Sequence, residues 1–327
     1  GPNQFGGRFR FLEGEFHAGV RSFNDDHWID LHPRGPYSSS EVWALDGANE
    51  GGGVIGSDGH VHAALWSGSP ESFVDLHPAD ITDSAVHGIS GGRQCGQVWN
   101  TNLPGSGRAA MWSGSPETYV DLQPSQGMSS YASAIWHEQQ VGYVRVPYLQ
   151  GYVDHAALWF GSAESCTDLN PGPYQSAALG VADGIQVGYV RSFDQGMSHA
   201  SMWSGSPESW VDLHSHRWPW GSQSQAIAVA GDFQCGTVES ACETPLRATL
   251  WHGTAESVVN LHRYLPESAN FLTSEALAMW SDGEAIHVFG RAQRLDTGEL
   301  CAILWSTSLP ICAGDYNNDG FVNGADF

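Results

Sequence analysis

The last fourteen residues, GDYNNDGFVNGADF, carry oxygen atoms at the intervals that a hard cation requires. If Asp315 is position 1, oxygen donors fall at positions 3, 5, 7, 9 and 12, and a glycine at position 6 permits the sharp turn of a twelve-residue calcium loop. The donors are the side chains of Asp315, Asn317, Asp319, Asn323 and Asp326 and the main-chain carbonyl of Phe321. The spacing predicts a Ca²⁺ site in a short tail, residues 309–327.

Two other stretches bring aromatic and basic side chains together. They are HSHRWPWGSQ at 214–223 and VPYLQGYVD at 146–154. The residues of this predicted interaction patch are His214, His216, Arg217, Trp218, Trp220, Tyr148 and Tyr152. Aromatic, arginine-bearing loops suit sugar stacking or a protein-binding hot spot, and a large loop that packs on itself is the alternative. The His-x-His pair could ligate a metal, but no third ligand accompanies it in the sequence.

Several other residues that could do chemistry recur at equivalent places and are better explained as structure. Aspartates stand at 30, 75, 121, 168 and 212, and asparagine takes the sixth place at 260. Acid and base catalysis needs carboxylates in unlike environments, whereas a repeated Asp or Asn is typical of a side chain that caps a turn. The recurring histidines, His17, His62, His155 and His199, are expected to be hydrogen-bonded rather than metal-bound.

The six cysteines divide into two groups. Cys95, Cys166 and Cys235 occupy places that other copies of the repeat fill with valine or an aromatic residue, which predicts buried thiols. Cys301 and Cys312 bracket the end of the repetitive region, and we predict a disulfide between them. Spacing alone assigns no partner to Cys242.

The elements that must position these residues come from a repeat of about 46 residues. The segment HAALWSGSPESFVDLHP at 62–78 returns as RAAMWSGSPETYVDLQP at 108–124. Its tryptophan recurs at Trp66, Trp112, Trp159, Trp203, Trp251 and Trp305, at spacings of 46, 47, 44, 48 and 54 residues. Each period contains four strand-like pieces separated by glycine-rich turns, which is typical of a β-propeller blade. The tryptophans are expected to be buried between blades rather than to bind sugars.

We therefore predict an all-β fold, a β-propeller of four-stranded antiparallel blades over residues 1–308. The first piece of each period pairs a small residue with a larger apolar one, as in Gly88-Ile89, and this predicts that it is the innermost strand. If the pieces of each period are numbered in chain order, the sequence contains six first, seven second, seven third and six fourth strands. Seven blades follow from this count, and six blades plus an N-terminal hairpin is the alternative.

Charge and composition restrict the partners. The net charge is −23, and all thirteen basic residues are arginine. So acidic a surface repels nucleic acid and anionic lipid but attracts divalent cations. No apolar run approaches the 18 to 20 or so residues of a membrane span. We expect a secreted protein whose signal peptide has already been removed, with no nucleic-acid partner and no membrane insertion.

The pattern His-Ala-(apolar)-(Leu/Met)-Trp, with its strongest form HAALW at 62–66, resembles the HAF-repeat proteins of bacterial exteriors. Over residues 7–306 the resemblance implies an extracellular, propeller-like repeat protein without established catalytic residues. Arg108, Arg247 and Cys301 depart from the pattern at the histidine, and Arg21 departs at the tryptophan. The calcium-loop sequence resembles one loop of a type I dockerin, which implies a cohesin-like partner or a second copy of the chain.

Together these features predict a secreted, non-catalytic, calcium-binding propeller that assembles through its terminal segments into homo-oligomers or fibres. A carbohydrate-binding propeller that uses the aromatic loops is the alternative, with a glycan as its ligand. A glycoside hydrolase anchored by the tail ranks third, and Glu138 and Asp154 are the carboxylates that it would use. The sequence contains no nucleophile elbow, phosphate loop or zinc signature, so we predict that the chain is not an enzyme.

Overall fold

The computed structural model of the protein describes residues 4–10, 15–22, 27–100, 107–191, 196–215, 222–239 and 245–308. Over these residues the chain forms short antiparallel strands grouped in seven sheets. Each sheet follows the previous one in sequence, and within a sheet the strands pair in chain order. The protein is a seven-bladed β-propeller, and the predicted fold class is confirmed.

The five central sheets each contain four strands. The second sheet contains β4 (Ser39–Asp46), β5 (Asn49–Ile55), β6 (Val61–Trp66) and β7 (Val74–Asp75). The third contains β8 (Asp83–Ser90), β9 (Arg93–Trp99), β10 (Arg108–Trp112) and β11 (Val120–Asp121). The fourth contains β12 (Ser129–Trp136), β13 (Gln139–Tyr148), β14 (Gly151–Trp159) and β15 (Thr167–Asp168). The fifth contains β16 (Gln175–Ala182), β17 (Ile185–Arg191), β18 (Ser198–Trp203) and β19 (Val211–Asp212). The sixth contains β20 (Gln223–Ala230), β21 (Phe233–Glu239), β22 (Arg247–Trp251) and β23 (Val259–Asn260).

The two terminal sheets each contain three described strands. The first contains β1 (Gln4–Arg10), β2 (Phe16–Ser22) and β3 (Ile29–Asp30), which correspond to second, third and fourth strands, and has no described first strand. The seventh contains β24 (Phe271–Ser281), β25 (Ala285–Arg294) and β26 (Leu300–Ser308), and has no described fourth strand. The predicted count of first, second, third and fourth strands is confirmed. Because residues 4–30 form a three-stranded sheet rather than a hairpin, the six-blade alternative is wrong.

Helix is limited, in the part of the chain that the structure describes, to single 3₁₀ turns. Five of them lie between the third and fourth strands, at Pro70–Ser72, Pro116–Thr118, Ala163–Ser165, Pro207–Ser209 and Ala255–Ser257. Two more, Leu261–Tyr264 and Glu267–Ala269, precede the seventh sheet. None of these turns is long enough to cross a bilayer.

The sheets fall into two compact units, Gly1–Leu169 and Asn170–Phe327. In the first unit Trp66 is fully buried and packs against Ala18, Val20 and Leu31 of the preceding sheet. Trp112 and Trp159 are also 0% exposed, and each packs against an alanine and a leucine of the preceding sheet.

In the second unit Trp251 packs against Ala200 and Leu213 of the preceding sheet. Trp203 is buried as well, and Trp305, at 9% exposure, donates a hydrogen bond from Nε1 to the Leu261 carbonyl at 3.1 Å. The predicted burial of the repeated tryptophans between blades is therefore confirmed within each unit, and each such ring buries about 150–250 Å².

The repeated aspartates cap turns, as the sequence predicts. Asp75 Oδ1 accepts a hydrogen bond from the His77 main-chain N–H at 2.9 Å, and Oδ2 lies 2.9 Å from His62 Nδ1. The same two contacts recur at Asp30 and Asp212. These carboxylates and histidines therefore stabilise the fold.

A buried serine on the first strand joins five of the sheets to the one before them. Ser84 Oγ accepts the Ala63 N–H at 2.8 Å and lies 2.8 Å from His77 Nδ1. Because His77 Nε2 donates to the Ile81 carbonyl at 3.0 Å, Nδ1 must accept the serine hydroxyl proton. Equivalent serine contacts to a main-chain N–H occur at Ser40, Ser130, Ser224 and Ser274.

Candidate functional site

A β-bulge interrupts every first strand directly before its Ala or Gly. The pairing of β4 with β5 skips Trp43, and that of β8 with β9 skips His87. The residues skipped at the same place in the other four first strands are Ser133, Leu179, Ile227 and Leu277. A bulge leaves one residue outside the ladder and changes the direction of its side chain. The repeat therefore presents one variable side chain per blade on its innermost strand.

A glycine on the second strand makes each bulge possible. A Cβ on Gly52 would overlap the Glu41 carbonyl oxygen, and a Cβ on Gly96 would overlap that of Ala85. The same overlap would occur at Gly142, Gly188, Gly236 and Gly290. The invariant glycine of the second strand is thus required by the close approach of the bulged strand beside it.

The innermost strands also approach one another closely, which explains their small residues. A Cβ on Gly88 of β8 would lie 3.0 Å from Ala134 Cα of β12. In the second unit a Cβ on Gly180 would overlap the Ile227 carbonyl oxygen. The prediction that the first strand of each period is innermost therefore agrees with the contacts in both units.

In the first unit, two bulged residues and two tyrosines paired in the β12–β13 ladder form a row of aromatic rings across three sheets. The centroids of Trp43 and His87 are 5.5 Å apart, and those of His87 and Tyr131 are 4.7 Å apart. Tyr131 stacks in turn on Tyr143 at 5.5 Å. We call Trp43, His87, Tyr131 and Tyr143 the ring row. Trp43 is 42% exposed, so one end of the row is open to solvent.

His87 is the one imidazole in the ring row. Burial lowers the pKa of His87 to about 4, so the ring is neutral at physiological pH. Among the described residues no side chain or carbonyl makes a hydrogen bond to this ring. A neutral imidazole carries one donor and one acceptor nitrogen, which leaves His87 able to hydrogen-bond a ligand amide or carbonyl.

The serine, histidine and aspartate of the second sheet match the residue types of a hydrolase triad but not its geometry. Ser84 is completely buried, and its hydroxyl is used by the Ala63 N–H. Asp75 contacts the main chain of His77 rather than its ring. In the next sheet Gln123 takes the place of the histidine and accepts from Ser130 Oγ at 2.6 Å. These sets therefore lack the exposed nucleophile and the imidazole oriented by a carboxylate that acyl transfer requires.

The predicted interaction patch lies only partly within the described residues. Tyr148 and Tyr152 stand on the long hairpin of β13 and β14, where Tyr152 is 60% exposed. His214 stacks on His199 at 4.1 Å and lies 2.7 Å from Ser224 Oγ, so its ring stabilises the fold. His216, Arg217, Trp218 and Trp220 lie outside the described residues, and the patch stays a prediction.

The predicted calcium site also lies outside the described residues. This holds for all six donors, Asp315, Asn317, Asp319, Phe321, Asn323 and Asp326. Within the described ranges no three acidic, histidine or cysteine side chains are grouped to hold a metal ion. Calcium binding by the tail remains a prediction.

The described cysteines form no disulfide with one another. Cys312 lies outside the described residues, so its pairing with Cys301 remains a prediction, and Cys242 lies outside them as well. Burial raises the pKa of Cys235 and of Cys166 to about 12, and that of Cys95 further still. These three thiols are unreactive, as the repeat predicts.

The two carboxylates considered for glycoside hydrolysis have structural or solvent-exposed settings. Asp154 accepts two hydrogen bonds from Arg145, at 2.7 and 3.0 Å. Glu138 has a 76% exposed side chain that lies 3.7 Å from Arg93. Within the described part of the chain, neither carboxyl group lies in an apolar pocket or beside a second carboxyl group, the settings typical of glycosidase catalysis.

Comparison with known proteins identifies the fold alone. No family model matches the chain, and no curated protein matches it in sequence. Among solved structures, the β-propeller domain of the Trilobed protease from Pyrococcus furiosus, described as having an open velcro topology, has a TM-score of 0.59 at 10% identity. The alignment covers 95% of this chain and 94% of that domain.

Two peptidases share the fold over part of their length. The acylaminoacyl peptidase of Pyrococcus horikoshii has a TM-score of 0.55 at 12% identity, with 96% of this chain and 51% of that chain covered. A prolyl endopeptidase has a TM-score of 0.55 at 8% identity, with 94% and 49% covered. The chain thus spans about half the length of these two peptidases.

The function predicted from the sequence is wrong. We expected a non-catalytic calcium-binding module that assembles through its ends, but the solved structures with this fold include a propeller domain of a protease and two peptidases. The carbohydrate-directed alternatives gain no support from these structures. The likeness to HAF repeats and to dockerins has no matching family model behind it.

The sequence did not indicate the ring row. Trp43, His87 and Tyr131 stand 44 residues apart along the chain, in three different copies. A signal was nevertheless available for Trp43 and His87, because the place directly before the repeated Ala or Gly changes from Trp to His, Ser, Leu and Ile. A position that varies between copies, within a strand that otherwise repeats, indicates that core packing does not determine the residue type there.

Proposed function

We propose that this chain is the substrate-selecting propeller of a peptidase system. In this role the ring row binds a segment of an incoming peptide, and hydrolysis is carried out by residues beyond those described here. The observation that carries the proposal is a partly exposed row of rings, three of them on innermost strands, in a propeller whose fold resembles that of peptidase propellers.

The fold supports this proposal by its size as well as its shape. The chain corresponds to nearly all of the protease propeller domain and to half of each peptidase. In the prolyl endopeptidase, inter-domain dynamics has a role in catalysis and specificity. The buried serines of the Ser-His-Asp sets favour a role in selection over one in bond cleavage.

The chemistry of the ring row indicates which peptides should bind. Flat rings favour proline and aromatic side chains, since these bury large apolar area at little entropic cost. His87, neutral and without a hydrogen bond in the described structure, can pair with the amide or carbonyl of the same peptide. A net charge of −23 repels acidic peptides. The expected ligands are therefore neutral or basic peptides that contain proline or an aromatic residue.

The test is peptide binding measured by fluorescence anisotropy, with labelled peptides that vary in ring content and charge. Replacing Trp43→Ala should weaken binding of the ring-containing peptides by about 2- to 12-fold, the range expected for loss of one aromatic contact. Trp28→Ala is the matched control, because Trp28 is 39% exposed and contacts Phe5 and Phe9 instead. Equal effects of the two changes, or no preference for ring-containing peptides, would refute the proposal.

A further inference from the structure

Strand β26 ends the described part of the seventh sheet without a neighbour on its outer side. In every other sheet the third strand pairs with a two-residue fourth strand. In the second sheet, for example, Ala64 pairs with Asp75 and Leu65 with Val74. The equivalent residues of β26 are Ile303 and Leu304, and neither has a partner on that side among the described residues.

The residue just before this pair shows what the missing strand would cover. In the six other sheets it is an alanine that is 0% exposed, at 18, 63, 109, 156, 200 and 248. The Ala63 carbonyl accepts the N–H of Leu76 at 2.8 Å, directly after the fourth strand. The equivalent residue of β26, Ala302, is exposed. In five of those six sheets the alanine carbonyl accepts the N–H of the leucine that follows the fourth strand, whereas no described residue donates to the Ala302 carbonyl on that side.

The exposed face of β26 is apolar and uncharged. Leu300 is 57% exposed and Leu304 is 41% exposed. The strand, LCAILWSTS, contains no charged residue and no proline over its nine positions. Edge strands in soluble proteins usually carry such residues to prevent pairing with other chains. Strand β26 has none of these protections.

The six existing fourth strands define the sequence that fits such an edge. Each has an aliphatic or β-branched residue, then Asp or Asn, then leucine: IDL, VDL, VDL, TDL, VDL and VNL. The leucines are 0 to 6% exposed. In five copies the strand begins eight residues after the tryptophan, as from Trp66 to Val74. Eight residues after Trp305 the chain instead reads Ala-Gly-Asp, which lacks both the β-branched residue and the leucine.

We propose that β26 docks an extended strand donated by a partner protein, with the sequence Val, Ile or Thr, then Asp or Asn, then Leu. The donated strand pairs antiparallel with Ile303 and Leu304, and the N–H of its leucine binds the Ala302 carbonyl. This is β-strand addition, in which main-chain hydrogen bonds supply affinity and alternate side chains supply specificity. The inference is independent of the proposed peptide selection by the ring row.

The experiment uses the full chain and a labelled peptide, SPESFVDLHP, which copies residues 69–78. Binding is followed by anisotropy and by hydrogen exchange of the β26 amides. The peptide should bind saturably and slow exchange in β26. A peptide carrying Val→Pro and Leu→Asp at its central positions should bind at least about tenfold more weakly, because it loses a main-chain donor and the buried leucine.

Two protein variants locate the binding site. Leu304→Lys should reduce affinity for SPESFVDLHP by at least about tenfold, since it places a charge on the docking face. Leu295→Lys is the matched control, because Leu295 is 56% exposed in the turn before β26 and should leave affinity unchanged. Equal binding by both variants would overturn the proposal. So would slow β26 exchange in the free chain, which would mean that a segment of the protein itself already covers the edge.

Discussion

Replacing Glu50 with glutamine is expected to stabilise the protein. Glu50 is 1% exposed, and its Oε2 accepts the Gly68 N–H at 2.9 Å, whereas Oε1 is buried without a hydrogen-bond partner in the described structure. The equivalent residues of the next four sheets are glutamines, at 94, 140, 186 and 234. Gln94 shows the difference, because its Oε1 accepts the Gly114 N–H and its Nε2 donates to the Gly92 carbonyl at 3.0 Å.

The expected gain from Glu50→Gln is about 1–3 kcal/mol in the free energy of unfolding at pH 7, the usual cost of a buried polar atom without a partner. Burial raises the pKa of Glu50, so the folded state holds its proton more tightly than the unfolded state does. The protonated Glu50 carboxyl group therefore contributes fully to the stability of the wild-type protein below a pH of about 4.5, the pKa of Glu50 in the unfolded chain. This contribution is lost as the pH rises through the higher pKa of Glu50 in the folded protein. The advantage of the glutamine variant should accordingly be larger at pH 7 than at pH 4.

The assay is urea unfolding followed by tryptophan fluorescence at both pH values. The reciprocal change, Gln94→Glu, is the matched control and should lower stability at pH 7 by a similar amount, since it creates the Glu50 arrangement in the third sheet. The reasoning is refuted if Glu50→Gln is neutral or destabilising at pH 7, or if its effect does not depend on pH.

Three further predictions test other parts of the molecule. Ser84→Ala should cost about 2–4 kcal/mol in urea unfolding, because it leaves the buried Ala63 N–H without an acceptor and removes a bond to His77; a loss under about 0.5 kcal/mol would contradict this. Burial and the neighbouring His62 lower the pKa of His77 in the folded protein. The neutral His77 ring therefore contributes fully to stability above about pH 6.5, and this contribution is lost as the pH falls through the lowered pKa of the folded state. His77→Gln, which introduces the residue found at Gln123 of the next sheet, should reduce the loss of stability between pH 7 and 5. Calorimetric titration with Ca²⁺ should show one site that Asp319→Ala abolishes, and heat unchanged by the substitution would argue against the calcium loop.

The repeat made the blades predictable. Trp112 and its equivalents are buried between consecutive sheets, so their spacing gives the length of one blade directly. The turn-capping role of Asp75 was also predictable, because asparagine takes the same place at 260 and asparagine cannot supply a carboxylate. The buried tryptophan and the turn cap recur because the side chains pack in the same way in each copy of the repeat.

The ring row could not be predicted in the same way. Whether Trp43 and His87 touch depends on the bulge that turns each side chain out of the ladder, and a bulge changes pairing without changing composition. The prediction of function failed for a different reason. A calcium-loop sequence in the last fourteen residues indicates what that tail can bind, and it carries no information about what the preceding 313 residues do.

The serine contacts between sheets also give the chain a direction of assembly. The main-chain N–H of Ala63 in one sheet is satisfied by Ser84, which lies 21 residues further along and belongs to the next sheet. A ribosome therefore releases each sheet before it has synthesised the side chain that completes it. Five of the sheets therefore carry an unsatisfied donor until the following sheet is made, and a chain that stalls after one of them ends in a sheet that is incomplete by one such bond.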